Sequence, residues 1–480
     1  MIPDIFLHNT LSGKKEKFQP IQLGQVKIYS CGPTVYDYAH IGNFRSFIMA
    51  DILVRVFQYA GYEVIKAQNI TDVGHLTQDD TADSAGEDKI ARKAAQEKLD
   101  PFAIARRYEE AFIEDEKSLR ILPPQYRPRA TDYILEQIQL AQDLIAAGYA
   151  YEVNGSVYFR TKKYESYGQL SKNKLEDLVA GARVEINSEK EDPLDFALWK
   201  KADTSHLMQW ESPWGRGFPG WHAECSAMST KLLGLPFDIH TGGEDNIFPH
   251  HECEIAQNEC SHGGQKSVNY WLHVKHLQVE GKKMSKSKGN FYTIRDLLSQ
   301  GWKGNEIRYV LLSGHYRTSL NFTMDSLQMA RSSIERLSEA VRIFREEANG
   351  TPPDEFARGV RERFREALFD DLNMADGLSV AFDLVKTGMK LREEKKLSSA
   401  SAASIVQFLE EDFEDVIAVL PGKEVSFSPE ERAQIEKKIQ ERNQAREEKD
   451  WARADQIRDE LAARGIELID EEGKTIWKKQ

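Results

Sequence analysis

At 480 residues the chain exceeds what one compact core can hold, so three or four structural units are expected. Its 40% hydrophobic content, spread without a long polar tract, excludes a disordered chain, and four cysteines are too few for a disulfide framework. The net charge of −13 counts against a nucleic-acid partner only for the surface as a whole, because phosphate contacts depend on local patches.

Met1 to Gln19 carries neither the basic start nor the apolar run of a signal peptide. No stretch approaches the roughly 18 uninterrupted apolar residues of a bilayer span, so a soluble, cytoplasmic protein is expected. Val26 to Ser30 reads as a strand, followed by a Cys-Gly-Pro turn and a loop ending at Gly42. From Asn43 to Tyr59 apolar residues recur at helical spacing (Phe44, Phe47, Ile48, Ile52, Val56) up to a stop at Gly61. Tyr62 to Ile70 reads as another strand, and this strand–helix–strand order predicts an α/β, doubly wound, Rossmann-like parallel sheet. A helical stretch from Ala85 to Arg120 and a Pro-rich break at Ile121 to Arg129 follow. Residues 130 to 217 mix a helix with short aromatic strands such as Gly155 to Arg160, the pattern of an insertion.

Strand and helix signals resume at Pro236 to His240 and continue through a helix at Ile247 to Cys260. From Thr323 to Val419 helix follows helix, with a break at Asn349 to Pro353, which predicts a bundle. After a linker at Gly422 to Pro429 the tail carries two charged helices, Pro429 to Glu447 and Trp451 to Arg464. Gly465 reads as a helix stop, and Ile466 to Ile469 pairs with Thr475 to Trp477 as a hairpin.

Three motifs carry chemistry. Pro33-Thr-Val-Tyr-Asp-Tyr-Ala-His40-Ile-Gly42-Asn43 lies between a strand and a helix, where free N–H groups and the positive end of a helix dipole favour phosphate. Gly281-Lys-Lys283-Met284-Ser285-Lys286-Ser287-Lys-Gly289 sets lysines and hydroxyls between glycines, suited to charge on a departing phosphate group. Phe248-Pro249-His250-His251-Glu252-Cys253-Glu254 opens a helix with His250 and Glu254 one turn apart, half of a tetrahedral zinc site that Cys31 and Cys225 could complete. By residue chemistry alone these cysteines read equally well as small buried hydrophobes.

His40-Ile-Gly42-Asn43 and Lys283-Met-Ser-Lys-Ser287 resemble the paired HIGH and KMSKS signatures of class I aminoacyl-tRNA synthetases. Ser30-Cys31-Gly-Pro-Thr-Val-Tyr36, Gly220-Trp221-His-Ala-Glu-Cys225-Ser and Phe248-Pro-His250-His251-Glu resemble the cysteine-specific member of that class, as do Asn69-Ile-Thr71-Asp72 and Asp370-Asp371-Leu-Asn373. The resemblance runs from about residue 5 to the end of the chain, with the motifs in order.

The resemblance implies a monomeric ATP-dependent ligase acting on L-cysteine and tRNA(Cys), with one Zn2+ per chain and Mg2+ accompanying ATP. Its domains would be the first half of the catalytic domain (1–125), a connective insertion (126–217), the second half with the lysine loop (218–322), a helical bundle for the anticodon stem (323–421) and a small α+β anticodon-reading domain (426–480). The implied zinc ligands are Cys31, Cys225, His250 and Glu254. His40, Lys283 and Lys286 are the implied catalytic groups, acting electrostatically on phosphates. ATP is implied to contact His40, Gly42, Asn43, Gly243, Asp245 and Lys286, and cysteine Thr71, Trp221 and Asp245.

Two positions depart from the family pattern. Asn43 stands where the family usually has His, and Cys253 where Asn is common. Cys253 is expected to neighbour the metal without binding it. The nearest rival, a ligase joining cysteine to an amino sugar, ends near the bundle, so the tail from Ser426 favours tRNA. A silent paralogue would be expected to lose the lysine loop or the zinc ligands. A zinc protease lacks its second histidine, since position 255 is Ile.

Overall fold

The computed structural model describes residues 2–78, 85–174, 189–203, 206–284, 289–421, 429–447, 450–462, 466–471 and 474–479. Strand β1 (Gln25–Ser30) runs into the loop of the first motif and helix α1 (Ile41–Tyr59). Helix α1 starts two residues before the periodicity suggests, because His40 caps it. It is buried from Ile41 to Phe57 on almost every face, so the polar Arg45 and Asp51 within it must find partners inside the protein. Gly61, at φ 92, turns the chain back into β2 (Glu63–Gln68).

The stretch read as one helix from Ala85 to Arg120 is three elements. A strand at Ala85–Asp88 pairs antiparallel with Leu76–Gln78, and helices α2 (Lys89–Glu97) and α3 (Pro101–Ser118) follow. Lys98 ends α2 in the left-handed region at φ 55, and Asp100 caps α3 with Pro101 in its first turn. The Asp-Pro pair is a helix start, and it outweighs the continuous helical periodicity across it.

Helix α4 (Ile134–Ala146) packs on an antiparallel sheet whose strands, Ala150–Val153, Ser156–Phe159, Phe196–Lys201 and Gly217–Pro219, pair in that order. Phe159, Phe196 and Trp199 fill the core between them. Helix α5 (Trp221–Leu233) then leads back to β3 (Phe237–Gly243), helix α6 (Glu252–Ser261) and β4 (Val268–Val274). The main sheet has the order β4-β3-β1-β2 with every pairing parallel, and Ser30 lies between Thr241 and Gln68. The expected α/β fold is therefore present, interrupted by the insertion.

Strands β5 (Leu277–Val279) and β6 (Lys282–Lys283) bring the chain to the lysine loop. Helix α7 (Gly304–Leu312) and β7 (Leu320–Phe322) follow, and β7 pairs parallel with β5. Helices α8 (Met324–Ala348), α9 (Arg358–Phe369), α10 (Met374–Glu393) and α11 (Ser399–Gln407) form the helical region. Residues 1–420 make one compact unit and 421–480 a second. The second contains α12 (Pro429–Glu447), α13 (Trp451–Ala462) and the hairpin β8 (Ile466–Glu471) with β9 (Lys474–Lys479), over a core of Ile435, Ile439, Ile457, Leu461 and Ile466. Among the described residues no helix is long and apolar enough to cross a membrane.

Asp51 and Arg308 form an ion pair at 2.5 Å in which neither side chain is exposed. Arg308 also donates to the carbonyls of Ile417, at 2.7 Å, and Leu119, at 3.2 Å, so α1, α7, the end of α3 and the last turn of the helical region meet at one guanidinium. Asp51→Ala strands that cation, and a loss of about 3–5 kcal/mol is expected. Urea unfolding followed by near-ultraviolet circular dichroism measures it, and an unchanged midpoint would contradict this account.

Candidate active site and metal centre

The site forms at the carboxyl edge of the main sheet, where β1 and β3 end side by side. The Cys31 N–H donates to the Thr241 carbonyl at 3.1 Å, and the Gly32 N–H to Asn69 Oδ1 at 2.8 Å. A Cβ on Gly32 would lie 1.6 Å from the Asn69 carbonyl oxygen, so only glycine lets these two segments approach so closely. Cys225 comes from the second turn of α5, His250 from the turn just before α6 and Glu254 from the first turn of α6.

The sulfurs of Cys31 and Cys225, a ring nitrogen of His250 and a carboxylate oxygen of Glu254 all lie within 4.8 Å of one another. Tetrahedral zinc, with bonds of about 2.0–2.3 Å, sets its ligand atoms about 3.3–3.8 Å apart, so small side-chain movements would close this set around an ion. Two thiols with an imidazole and a carboxylate suit a borderline-soft ion such as zinc. All but Cys31 are at most 2% exposed, and His250 Nε2 is 3.1 Å from Glu254 Oε1.

Burial alone disfavours charge on every group here. At Glu254, His240 and His250 overcome it and hold the carboxyl down at about 2. At His250 burial works against the imidazolium, yet Cys225 and Glu254 lift it to about 10. Both thiols are raised, chiefly by burial, so a bound cation must displace their protons.

Sequence reasoning missed the histidines that surround this set. His222 Nδ1 lies 2.9 Å from His250 Nδ1, leaving His250 Nε2 to face Glu254. His240 Nε2 is 3.0 Å from Glu254 Oε2. His251 Nε2 is 3.2 Å from Cys31 Sγ, its Nδ1 2.8 Å from His273, and His273 reaches the Thr10 hydroxyl at 2.8 Å. Cys31, His240, His251 and Glu254 also converge, so the histidines form a supporting layer that shares two members with the first set. A signal existed: of 12 histidines, six (His222, His240, His250, His251, His262 and His273) crowd into one short stretch.

Trp221 stacks between His75, at 4.2 Å and 12°, and His250, at 4.5 Å and 25°. Thr71 is buried nearby, its hydroxyl accepting from Asn69 Nδ2 at 3.1 Å. His40 and Asn43 form a capping box: the Asn43 N–H donates to His40 Nδ1 and the His40 N–H to Asn43 Oδ1, both at 3.1 Å. Asparagine at 43 thus fixes the loop geometry at the head of α1. A Cβ on Gly42 would meet the His40 ring at 3.0 Å and the Met284 methyl at 3.2 Å, so this glycine lets the edge of the lysine loop lie against the first motif. Likewise a Cβ on Gly243 would lie 2.3 Å from Asp245 Oδ1. Lys283 is exposed on β6, whereas Lys286 lies outside the described residues.

Cys253 faces the insertion. Its sulfur lies 3.3 Å from the Tyr167 hydroxyl and packs in the core of the insertion with Phe196 and Ala223, and it belongs to neither metal-type cluster. Three residues from His250 is less than a full helical turn, and the chain before Glu252 is not regular helix, since Phe248 is extended. Glu252 also faces the insertion, accepting the N–H groups of Gly168, Leu170 and Ser171.

The chain matches a family described as "tRNA synthetases class I (C) catalytic domain" over residues 17–332. Residues 363–418 match the DALR domain, and residues 428–477 the "Cysteinyl-tRNA ligase anticodon binding domain". Among solved structures, a Mycobacterium tuberculosis methionyl-tRNA synthetase aligns at TM-score 0.59 and 15% identity over 82% of this chain and 90% of that one. An Agrobacterium radiobacter LeuRS complex aligns at TM-score 0.60 and 12% identity over 84% and 85%. Fold and site together define a class I aminoacyl-tRNA synthetase.

Full-length relatives narrow the class. The cysteine-tRNA ligase of Salinibacter ruber is 43% identical over 100% of this chain and 99% of its own length. That of Thermus thermophilus is 42% identical over 99% of each. The chain belongs to the cysteine-tRNA ligase family.

Two variants test the geometry of the centre. His222→Ala removes the group that orients His250, and metal affinity is expected to fall about 10–100-fold. Cys253→Ser is expected to keep the metal while costing about 1–3 kcal/mol of stability, by placing a hydroxyl in the apolar insertion core. Elemental analysis after dialysis against a graded zinc buffer reads both, and zinc lost from the Cys253 variant alone would overturn the placement of the two faces of α6.

Proposed function

We propose that this chain activates L-cysteine with ATP to cysteinyl-adenylate and transfers it to tRNA(Cys), selecting cysteine over serine at a zinc ion held by Cys31, Cys225, His250 and Glu254. The observation that carries this reading is the convergence of those four ligand atoms within 4.8 Å beside Trp221 and Thr71. A zinc ion there supplies a soft acceptor that takes a thiolate far better than an alcohol. The distinction matters because a purely steric pocket separates two such similar substrates poorly. The His222 and His240 contacts keep the His250 and Glu254 donors aimed inward. Trp221, stacked on His250, forms an apolar wall that excludes water from the thiol.

In the first step the cysteine carboxylate attacks the α-phosphate of Mg-ATP and pyrophosphate leaves. His40 at the head of α1 and the lysines of the Lys283–Ser287 loop stabilise the phosphate charge, Lys286 acting from outside the described residues. Asp245 contacts the substrate amine or the adenylate ribose, and Gly42, Asn43 and Gly243 shape the backbone around ATP. In the second step a hydroxyl of the terminal tRNA ribose attacks the adenylate carbonyl and AMP leaves. The match of residues 428–477 to an anticodon-binding domain supports tRNA, rather than an amino sugar, as acceptor. The enzyme acts as a cytoplasmic monomer in this reading.

ATP–pyrophosphate exchange tests it, with cysteine and separately with serine, before and after removal of metal by a chelator. Exchange is expected with cysteine alone and is expected to be lost with the metal, and aminoacylation of tRNA(Cys) should follow. Equal exchange with serine, or full activity without metal, would sink the zinc-based selection. No exchange from folded, zinc-loaded protein would sink the enzymatic reading itself.

A further inference from the structure

Arg45 lies one turn into α1, five residues after His40, and is 2% exposed. Its guanidinium makes no ion pair at bonding distance among the described residues, and its two terminal nitrogens are spent on backbone carbonyls. Nη1 donates to Lys275 at 2.6 Å and His276 at 3.1 Å, and Nη2 to His315 at 3.1 Å and Thr318 at 2.6 Å. Burial lowers its affinity for protons, to about 10, against the pull of Glu244, so it remains a cation at neutral pH.

The four carbonyls come from two short segments with one feature in common. Lys275 and His276 immediately precede β5, and His315 and Thr318 belong to the turn that leads into β7. These parallel strands, paired Leu277 to Leu320, are the base from which the hairpin β5–β6 carries Lys283 and Met284 toward Gly42. Glu244 also holds this base, pairing with Lys275 Nζ at 2.5 Å and accepting the His276 N–H at 2.8 Å. Glu244 is the neighbour of Asp245. One buried fork therefore joins the helix that begins at His40 to the roots of β5 and β7, and Glu244 joins the root of β5 to the Gly242–Asp245 turn.

We infer that Arg45, assisted by Glu244, is a positioning residue that sets the distance between the His40 motif and the lysine loop, and so governs ATP activation without touching substrate. The inference rests on the proposed function. Only a planar group with paired donors satisfies four carbonyls on two separate segments; an ammonium has three donors radiating from one point. Arg45→Lys keeps the charge and most of the volume but must release at least one carbonyl, letting the hairpin root shift.

The test is ATP–pyrophosphate exchange by the zinc-loaded full chain carrying Arg45→Lys or Glu244→Gln, at varied ATP and varied cysteine. In Arg45→Lys, kcat/KM for ATP is expected to fall about 100-fold, the cost of misplacing reacting groups by about 1 Å. The KM for cysteine and the bound zinc should stay as in the unaltered enzyme. Glu244→Gln should show the same split to a smaller degree. Wild-type ATP kinetics in a folded Arg45→Lys protein overturn the inference and leave Arg45 a stabilising contact. So does a parallel rise in both KM values with loss of zinc. If Arg45→Lys does not fold, Glu244→Gln decides alone, and unchanged ATP kinetics there overturn the inference. Absence of exchange in the unaltered enzyme is a separate result and tells against the functional reading.

Discussion

A carboxylate as deeply buried as Glu254 can stay ionised only if the surrounding protein is built to supply positive or polar partners. Taking such a group out of water costs several kcal/mol, even after the protein relaxes around it. The response here is a shell of imidazoles: His240 and His250 address the two oxygens directly, and His222 meets His250 from behind. These rings come from β3, the start of α6 and α5, so the depth of one side chain fixes how three elements meet. The same arrangement leaves two thiols facing the carboxylate in a closed space. A site that concentrates donors of this kind is a poor place for protein alone and a good place for a cation.

Helix α1 faces a related demand at the other end of the sheet edge. Because it is buried on nearly every side, the two charged residues buried within it have become joints. Asp51 takes Arg308 and Arg55 and, through Arg308, the carbonyl of Ile417; Arg45 takes the roots of β5 and β7. The helix that begins at the His40 motif is thus fastened to the lysine-loop base on one side and to the end of the helical region on the other. A buried arginine bonded only to carbonyls gains little net stability over an apolar side chain of the same shape, since each bond replaces one to water. What it does provide is direction, because its donors accept only one arrangement of the segments they hold.

Much of this was legible in the sequence, and what was not has physical reasons. The parallel sheet announced itself through strand–helix–strand order, and the convergence of Cys31, Cys225, His250 and Glu254 matches residues already singled out by their chemistry and their resemblance to a family. The break at Lys98 was missed because helical periodicity runs through it, while the local signal, Asp100 before Pro101, occupies only two residues. The histidine layer was missed because pairs such as His251 and His273 meet across strands, and no linear spacing encodes that. Arg45 and Asp51 were passed over because an apolar stripe reads as one buried face with a solvated opposite face, and α1 is buried on nearly every side. Lys286 was nominated by motif and lies outside the described residues, so its role rests on chemistry alone.

The segment from His250 to Glu254 shows why counting residues around a metal is unsafe where a helix begins. Phe248 is extended and regular α-helix starts only at Glu252, so the turn carrying His250 and His251 is wider than the one after it. His250 and Glu254 share the inner face, while Glu252 and Cys253 turn outward into the insertion. There Glu252 collects three backbone N–H groups and Cys253 meets a tyrosine hydroxyl, so both satisfy the insertion and not the metal. Adjacent residues on one short helix thus answer to different constraints, Glu254 to the centre and Cys253 to the insertion core.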